Sequence, residues 1–290
     1  EAGIDLRTIT GTGPAGRITH DDLDAAFSAT NGSGRAGTAS AQIEWDLPND
    51  TVTDQPIVGV RRKIAEQMVA STTTIPHITY VEEIDMTALE DLRRALNEQS
   101  DQSAVPRPKL TILPFLIRAL VRELPNFPTM NAHVLDPAGD GPATLRTFGG
   151  VHVGIATQTD NGLVVPVVHH AEASSLWAMA EQIAELADAA RSGTADRTDL
   201  TGSTITITSL GPLGGLMSTP VINRPETTII GVNKMMTKPV WIDGSFVPRT
   251  MMNLSSSFDH RVIDGWVAAN FVQSLKRSLE QPALLFVESP

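Results

Sequence analysis

From Ser28 to Gln42 the chain reads Ser-Ala-Thr-Asn-Gly-Ser-Gly-Arg-Ala-Gly-Thr-Ala-Ser-Ala-Gln, a run without one large apolar side chain. Fixing a residue costs about 1–2 kcal/mol of backbone entropy. This run has nothing to bury in return, so a flexible tether is expected, extending over residues 28–54. It divides the chain into a small unit, residues 1–27, and a body, residues 55–290. With 290 residues in all and 41% apolar content, the body is large enough to bury its own core. Twenty-seven residues are too few, so the small unit is either part of a domain or docks elsewhere.

Composition removes several classes. There is no cysteine, hence no disulfide framework, no thiolate zinc site and no thiol nucleophile. A net charge of -11 and a pI near 5.0 argue against a nucleic-acid-binding surface. No apolar run reaches the roughly 20 residues that span a bilayer. The start, Glu1-Ala2-Gly3-Ile4-Asp5, reads as a fragment boundary or processed start, with further activities expected upstream.

In the small unit, Thr19 stands where it can cap a short helix whose first turn carries Asp21 and Asp22, with Leu23, Ala26 and Phe27 as its apolar positions. In the body, helical spacing is read over 61–68, after Asp85 (Leu89, Leu92, Leu96), and over 111–124, 175–191 and 266–279. Strands are expected over 75–84, 151–157, 163–168, 203–209 and 227–232. The order predicts an α/β domain with a mixed sheet and packed helices. No βαβ repeat is regular enough for a doubly wound sheet or a barrel.

Gly11-Thr12-Gly13-Pro14-Ala15-Gly16 matches the glycine-rich dinucleotide pattern, but Pro14 interrupts it and no βαβ unit fits before the tether. Gly211-Pro212-Leu213-Gly214-Gly215 lacks a P-loop lysine and reads as a turn. His169 and His170 are adjacent and point apart on a strand. His260 and Asp264 have the spacing of one helix face, but no third ligand can be named, so no metal site is assigned.

The informative stretch is Ser255-Ser256-Ser257-Phe258-Asp259-His260-Arg261-Val262-Ile263-Asp264-Gly265. His260 suits proton transfer near neutral pH. Asp264 can fix its surroundings by ion pairing, and Gly265 permits close packing. The serines before it suggest a polar cleft. Ser203 to Gly211 alternates hydroxyls with apolar residues, and Thr208 near its end can donate to a developing oxyanion. Threonine also simply favours strands.

These residues resemble the dihydrolipoamide acyltransferases, the E2 components of 2-oxo acid dehydrogenase complexes. Asp259-His260-Arg261-Val262-Ile263-Asp264-Gly265 looks like the family's active-site signature. Val60 to Ala65, Ile75-Pro76-His77-Ile78-Thr79 and Gly202 to Gly211 resemble further blocks. The first 27 residues look like the second half of a peripheral subunit-binding domain, in which Arg17 keeps part of the docking surface. The resemblance implies a chloramphenicol-acetyltransferase-like fold, homotrimers packed into a 24-subunit hollow core, and active sites in channels between subunits. It implies E1, E3 and lipoyl-domain partners, coenzyme A as substrate, a lipoyl group on a domain absent from this sequence, and no metal. Location would be cytoplasmic in a bacterium and the mitochondrial matrix in a eukaryote. His260 would take the coenzyme A thiol proton, Thr208, usually serine in the family, would stabilise the oxyanion, and Asp264 would hold the architecture through Arg61 or Arg62. Pro220 to Glu226 and Met251 to Phe258 look closest to branched-chain members. Acetyl or succinyl transfer, transfer to an amine or hydroxyl, and an inert scaffold are the alternatives.

Overall fold

A computed structural model describes residues 9–30, 50–102, 107–137, 141–160 and 162–287. The chain separates into two compact units, Glu1–Gln55 and Pro56–Pro290. Most of the expected tether lies outside the described residues.

In the first unit, helix α1 spans His20–Thr30. The Asp22 carboxylate accepts from the Thr19 amide at 2.8 Å, the Thr12 amide at 3.0 Å and both threonine hydroxyls. These hydrogen bonds, led by the Thr19 and Thr12 amides, hold its carboxyl below the usual carboxylate range. The glycine-rich loop is therefore folded back on the start of α1. At Gly11 a Cβ would stand 2.5 Å from the Gly16 carbonyl oxygen, so glycine there answers to backbone crowding.

In the second unit, α2 (Gly59–Thr74) leads into β1 (His77–Asp85), α3 (Thr87–Asp101) and α4 (Leu113–Glu123). A hairpin of β2 (Ala132–Leu135) and β3 (Thr144–Thr147) follows, then β4 (Val153–Thr159), β5 (Gly162–Val164), β6 (Val167–Val168) and α5 (Leu176–Ser192). The remainder is β7 (Ile205–Ser209), β8 (Thr228–Val232), β9 (Met236–Ile242), β10 (Ser245–Asp259) and α6 (Gly265–Glu280). The main sheet runs β1-β10-β8-β7-β4-β5, with β9 beside β10 and β6 beside β4. Only the β4–β7 and β7–β8 pairs are parallel, so the sheet is mixed, as the element order predicts.

Local chemistry accounts for the element ends. Ser175 caps α5, its Oγ accepting from the Ala178 amide at 3.2 Å, and Gly193 closes that helix at φ 71°. Asp85 accepts from the Thr87 amide at 3.0 Å at the start of α3. The strand expected over 163–168 is cut into β5 and β6 at Pro166, which has no N–H to donate.

The two faces of the sheet differ because side chains alternate along a strand. Ile205 and Ile207 of β7, Ile230 and Val232 of β8, and Met252, Leu254 and Phe258 of β10 join α3–α6 in one buried cluster. The intervening positions, Thr206, Thr208, Ser255 and Ser257, lie on the opposite face. The hydroxyl alternation of β7 is thus a register signal: apolar residues toward the helices, hydroxyls toward the other side.

β10 is a correction. Its serines suggested the wall of a polar cleft, but Ser255, Ser256 and Ser257 are each 0% exposed, inside the central strand. Ser257 Oγ meets Thr79 Oγ1 at 2.9 Å, and Ser255 Oγ accepts from Asn233 Nδ2 at 2.7 Å. Ser256 Oγ is buried without a partner.

Candidate active site

β10 ends at Asp259, and the next residues form a turn whose members are tied inward on both sides of His260. The Asp259 amide donates to Thr227 O at 2.9 Å, and its carbonyl accepts from Val262 and Ile263 at 3.1 and 3.0 Å. The Asp259 carboxylate is 0% exposed and is gripped by Arg261, Nε to Oδ1 at 2.9 Å and Nη2 to Oδ2 at 2.6 Å. That hydrogen-bonded carboxylate raises the Arg261 pKa. Arg261 Nη1 lies 3.8 Å from Asp136, which also pairs with Arg224. Ile263 enters the core at 1% exposure. His260 is fixed by its amide, which donates to Pro76 O at 3.0 Å, and its side chain remains exposed.

His77 anchors the adjoining segment. Its Nε2 accepts from the Ile222 amide at 3.0 Å, so Nδ1 carries the hydrogen and donates to Ile75 O at 2.9 Å. Both ring nitrogens are committed, which leaves His260 as the available imidazole of this region. The Ile75–Thr79 block thus has a structural role that its sequence did not disclose.

Asp264 and Gly265 need correcting. Asp264 is the N-cap residue of α6 and His260 lies in the preceding turn, so the two do not share a helix face. Asp264 is exposed and makes no ion pair or side-chain hydrogen bond among the described residues, while Arg62 pairs with Glu66 at 2.8 Å. Its negative charge sits at the positive end of the α6 dipole instead. At Gly265 a Cβ would only touch Ile78 Cδ1 at 3.7 Å, an ordinary contact, so packing within this chain does not demand glycine.

Thr208 is partly exposed and faces a cavity of about 330 Å³ on the hydroxyl-bearing face. Met68, Ala156, Leu163, Val165, Pro220 and Val232 supply apolar wall. Sequence reasoning found Thr208 but not this lining, which comes from five separate stretches of chain.

Register separates Thr208 from His260. Thr208 pairs with Gly231, and Gly231 pairs with Ser255, five residues before His260. Two strand spacings amount to about 10 Å and five residues to about 16 Å. Within one chain the two side chains are therefore too far apart to act on one atom.

Buried ionisable groups are sparse here. Glu226 is 1% exposed and burial pushes its carboxyl up to about 7. Burial lowers the His133 pKa, and its Nε2 is 2.8 Å from Ser203 O. Among the described residues no cluster of three or more histidine, aspartate or glutamate side chains is arranged to hold a metal ion, and no helix is long and apolar enough to cross a membrane.

Comparison with known proteins supplies the class of this mixed-sheet domain, an acyltransferase catalytic domain. Residues 49–287 match the family of 2-oxoacid dehydrogenases acyltransferase (catalytic domain), and the chain belongs to that family. Residues 1–24 match the e3 binding domain. The chain is 54% identical, over 99% of its length, to the lipoamide acyltransferase component of the branched-chain alpha-keto acid dehydrogenase complex of Pseudomonas putida, and spans 65% of that relative. Its fold is similar to that of the dihydrolipoamide acetyltransferase of Azotobacter vinelandii, whose catalytic mechanism has been investigated at a serine, a histidine and an asparagine. That likeness has a TM-score of 0.75 and 35% identity, over 83% of this chain and 98% of that one. The cubic core of a pyruvate dehydrogenase multienzyme complex matches with the same TM-score, identity and coverage.

Proposed function

We propose that the chain transfers an acyl group between dihydrolipoamide and coenzyme A. The observation that carries this reading is the turn at His260, where Asp259 is buried, Arg261 is held on its carboxylate, and the imidazole is exposed with no side-chain partner among the described residues. His260 takes the proton from the coenzyme A thiol, and the thiolate attacks the acyl-dihydrolipoamide carbonyl carbon. Thr208 donates a hydrogen bond to the oxyanion of the tetrahedral intermediate. Collapse breaks the bond to the lipoyl sulfur, which takes up the proton held on His260. Atoms and charge balance without an acyl-enzyme.

The serine, histidine and asparagine named for the Azotobacter enzyme have the same spacing as Thr208, His260 and Asp264 here. That match supports placing all three positions in the transfer site. The distance between Thr208 and His260 in one chain supports a site shared between copies, His260 from one and Thr208 from its neighbour. A trimer within a larger core, such as the cubic core seen in the solved relative, supplies such pairs. The match of residues 1–24 supports docking of the complex's peripheral enzymes by the first unit, with the lipoyl group arriving on a separate domain.

A branched acyl group is the preferred cargo: the relative at 54% identity is a branched-chain component, whereas the acetyltransferase stands at 35%. The mostly apolar cavity beside Thr208 suits it, although one methylene discriminates by only about 1–3 kcal/mol. The test is transfer to dihydrolipoamide from acetyl, succinyl, isobutyryl and isovaleryl coenzyme A. Higher kcat/KM with the two branched donors is expected. Preference for acetyl would reassign the cargo, and no transfer with any donor would leave a scaffold.

A further inference from the structure

The hydroxyl-bearing face holds a buried carboxyl that the transfer steps do not use. Glu226 Oε1 accepts from Ser203 Oγ at 2.5 Å and from Asn223 Nδ2 at 2.9 Å. Its Oε2 is buried without a partner. A buried carboxyl with one idle oxygen is unfavourable for stability alone, since the unmade bond costs about 1–3 kcal/mol. That cost calls for another reason.

Asn223 supplies one. Its Nδ2 also approaches Thr206 Oγ1 at 3.5 Å, so both amide hydrogens are directed at protein atoms. Its Oδ1 has no protein partner among the described residues, and Asn223 lines the cavity that Thr208 faces. The backbone beneath it is pinned from several elements. Ser71 Oγ of α2 donates to Ile222 O at 2.6 Å, Gln67 Nε2 to Arg224 O at 3.1 Å, and the Val134 amide of β2 to Pro225 O at 2.9 Å. With the backbone held, the amide has one remaining freedom, rotation about its own side chain, and the Glu226 contact removes it.

We infer that Asn223 is the polar anchor of the cavity, offering its carbonyl to an N–H or S–H donor of a thioester substrate, and that Glu226 is the positioning residue that sets the amide's orientation. The inference rests on the transferase reading above. Apolar walls accept the hydrocarbon part of such a ligand, and a single fixed acceptor sets how far along the cavity it sits. Coenzyme A thioesters and dihydrolipoamide both carry such a donor on an alkyl chain, so the kinetics must tell them apart.

The experiment is steady-state transfer by the full chain, varying isobutyryl coenzyme A and dihydrolipoamide separately, alongside calorimetric binding of each. Asn223→Ala is expected to raise KM and weaken binding for one of the two by roughly three- to tenfold, with kcat within about twofold. Whichever substrate responds is the one the cavity holds. Glu226→Ala should reproduce that change, and Glu226→Gln, which keeps the accepting oxygen, should restore it. The double variant should be no worse than either single one, because both remove the same contact. Unchanged KM and binding in Asn223→Ala would overturn the anchor. Additive effects, or a Glu226→Ala change confined to thermal stability, would overturn the positioning role. If the unaltered chain transfers nothing, the function fails, and the binding measurements still decide the anchor.

Discussion

The proposed site draws on side chains from the turn after β10 and from the end of β7, and their losses should differ in kind. His260→Ala is expected to lower kcat by about 10²–10⁴, the usual worth of a positioned general base, with assembly unchanged by sedimentation. Normal turnover at saturating coenzyme A would remove His260 from the mechanism. On the proposed role, Thr208→Ala removes a contact made in the transition state, worth about 3 kcal/mol, so kcat should fall by about 10²-fold while coenzyme A affinity holds. Thr208→Ser should recover most of that loss because it keeps the hydroxyl and frees its rotamer. An affinity loss with an unchanged single-turnover rate would assign Thr208 to ground-state binding. Asp264→Asn should retain activity within about threefold, since the Asp264 carboxylate makes no ion pair or side-chain hydrogen bond among the described residues and loses only its interaction with the α6 dipole. Collapse of activity in that variant would restore an ionic role to Asp264.

Secondary structure was legible where period and caps agreed and illegible where burial overrode composition. α3, α5 and α6 announced themselves through three- and four-residue spacing, and β7 through its alternation. β10 escaped because its buried stretch Leu254-Ser255-Ser256-Ser257 looks like surface, and only the β1, β8 and β9 ladders around it explain its strand state. Position in the sheet decided, not propensity. β2 and β3 are four residues each, too short for periodicity to be read. At the site, His260 and Thr208 were legible as residue types, but the commitment of His77, the lining of the cavity and the setting of the Asn223–Glu226 pair depend on contacts across as many as 157 residues. A shorter reach, across 13 residues, stabilises the approach to α4. Asn97 of α3 accepts from the Leu110 amide at 2.8 Å and donates to the Leu110 carbonyl at 3.0 Å, replacing a missing strand partner. Asn97→Ala should cost about 2–3 kcal/mol by leaving both buried groups unpaired, seen as a lower denaturant midpoint with an unchanged slope.

For the assembled molecule, a site shared between copies makes a complementation prediction. Co-expressing His260→Ala and Thr208→Ala chains should restore about a quarter of the sites, those pairing an intact His260 with an intact Thr208 from a neighbour. No recovery above the weighted mean of the parents would place both groups in one chain.

Stability against pH follows from the histidines. Burial lowers the pKa values of His133 and His152, the latter also through the neighbouring His170 and His169. The unfolded chain takes these protons near pH 6.5 and the folded chain resists them. Their contribution is present above that pH and is lost as pH falls through the folded values. Glu226 acts oppositely: with its pKa raised to about 7, its contribution is present below about 4.5 and is lost as pH rises through 7. Thermal midpoints should therefore decline below pH 6.5, less steeply in His133→Gln, and Glu226→Gln should gain most above pH 7. Parallel curves for all three would rule out these linkages.

The β1–β10 ladder also matters while the polypeptide is being made. β1 finds its partner only after more than 160 further residues, since Asp85 pairs with Met251 and His77 with Asp259. At about 5–20 residues per second, a ribosome needs roughly 10–35 s to deliver that partner. Throughout that interval the edge of β1 that β10 will occupy keeps its N–H and C=O groups unpaired, open to pairing with another strand until residue 259 has emerged.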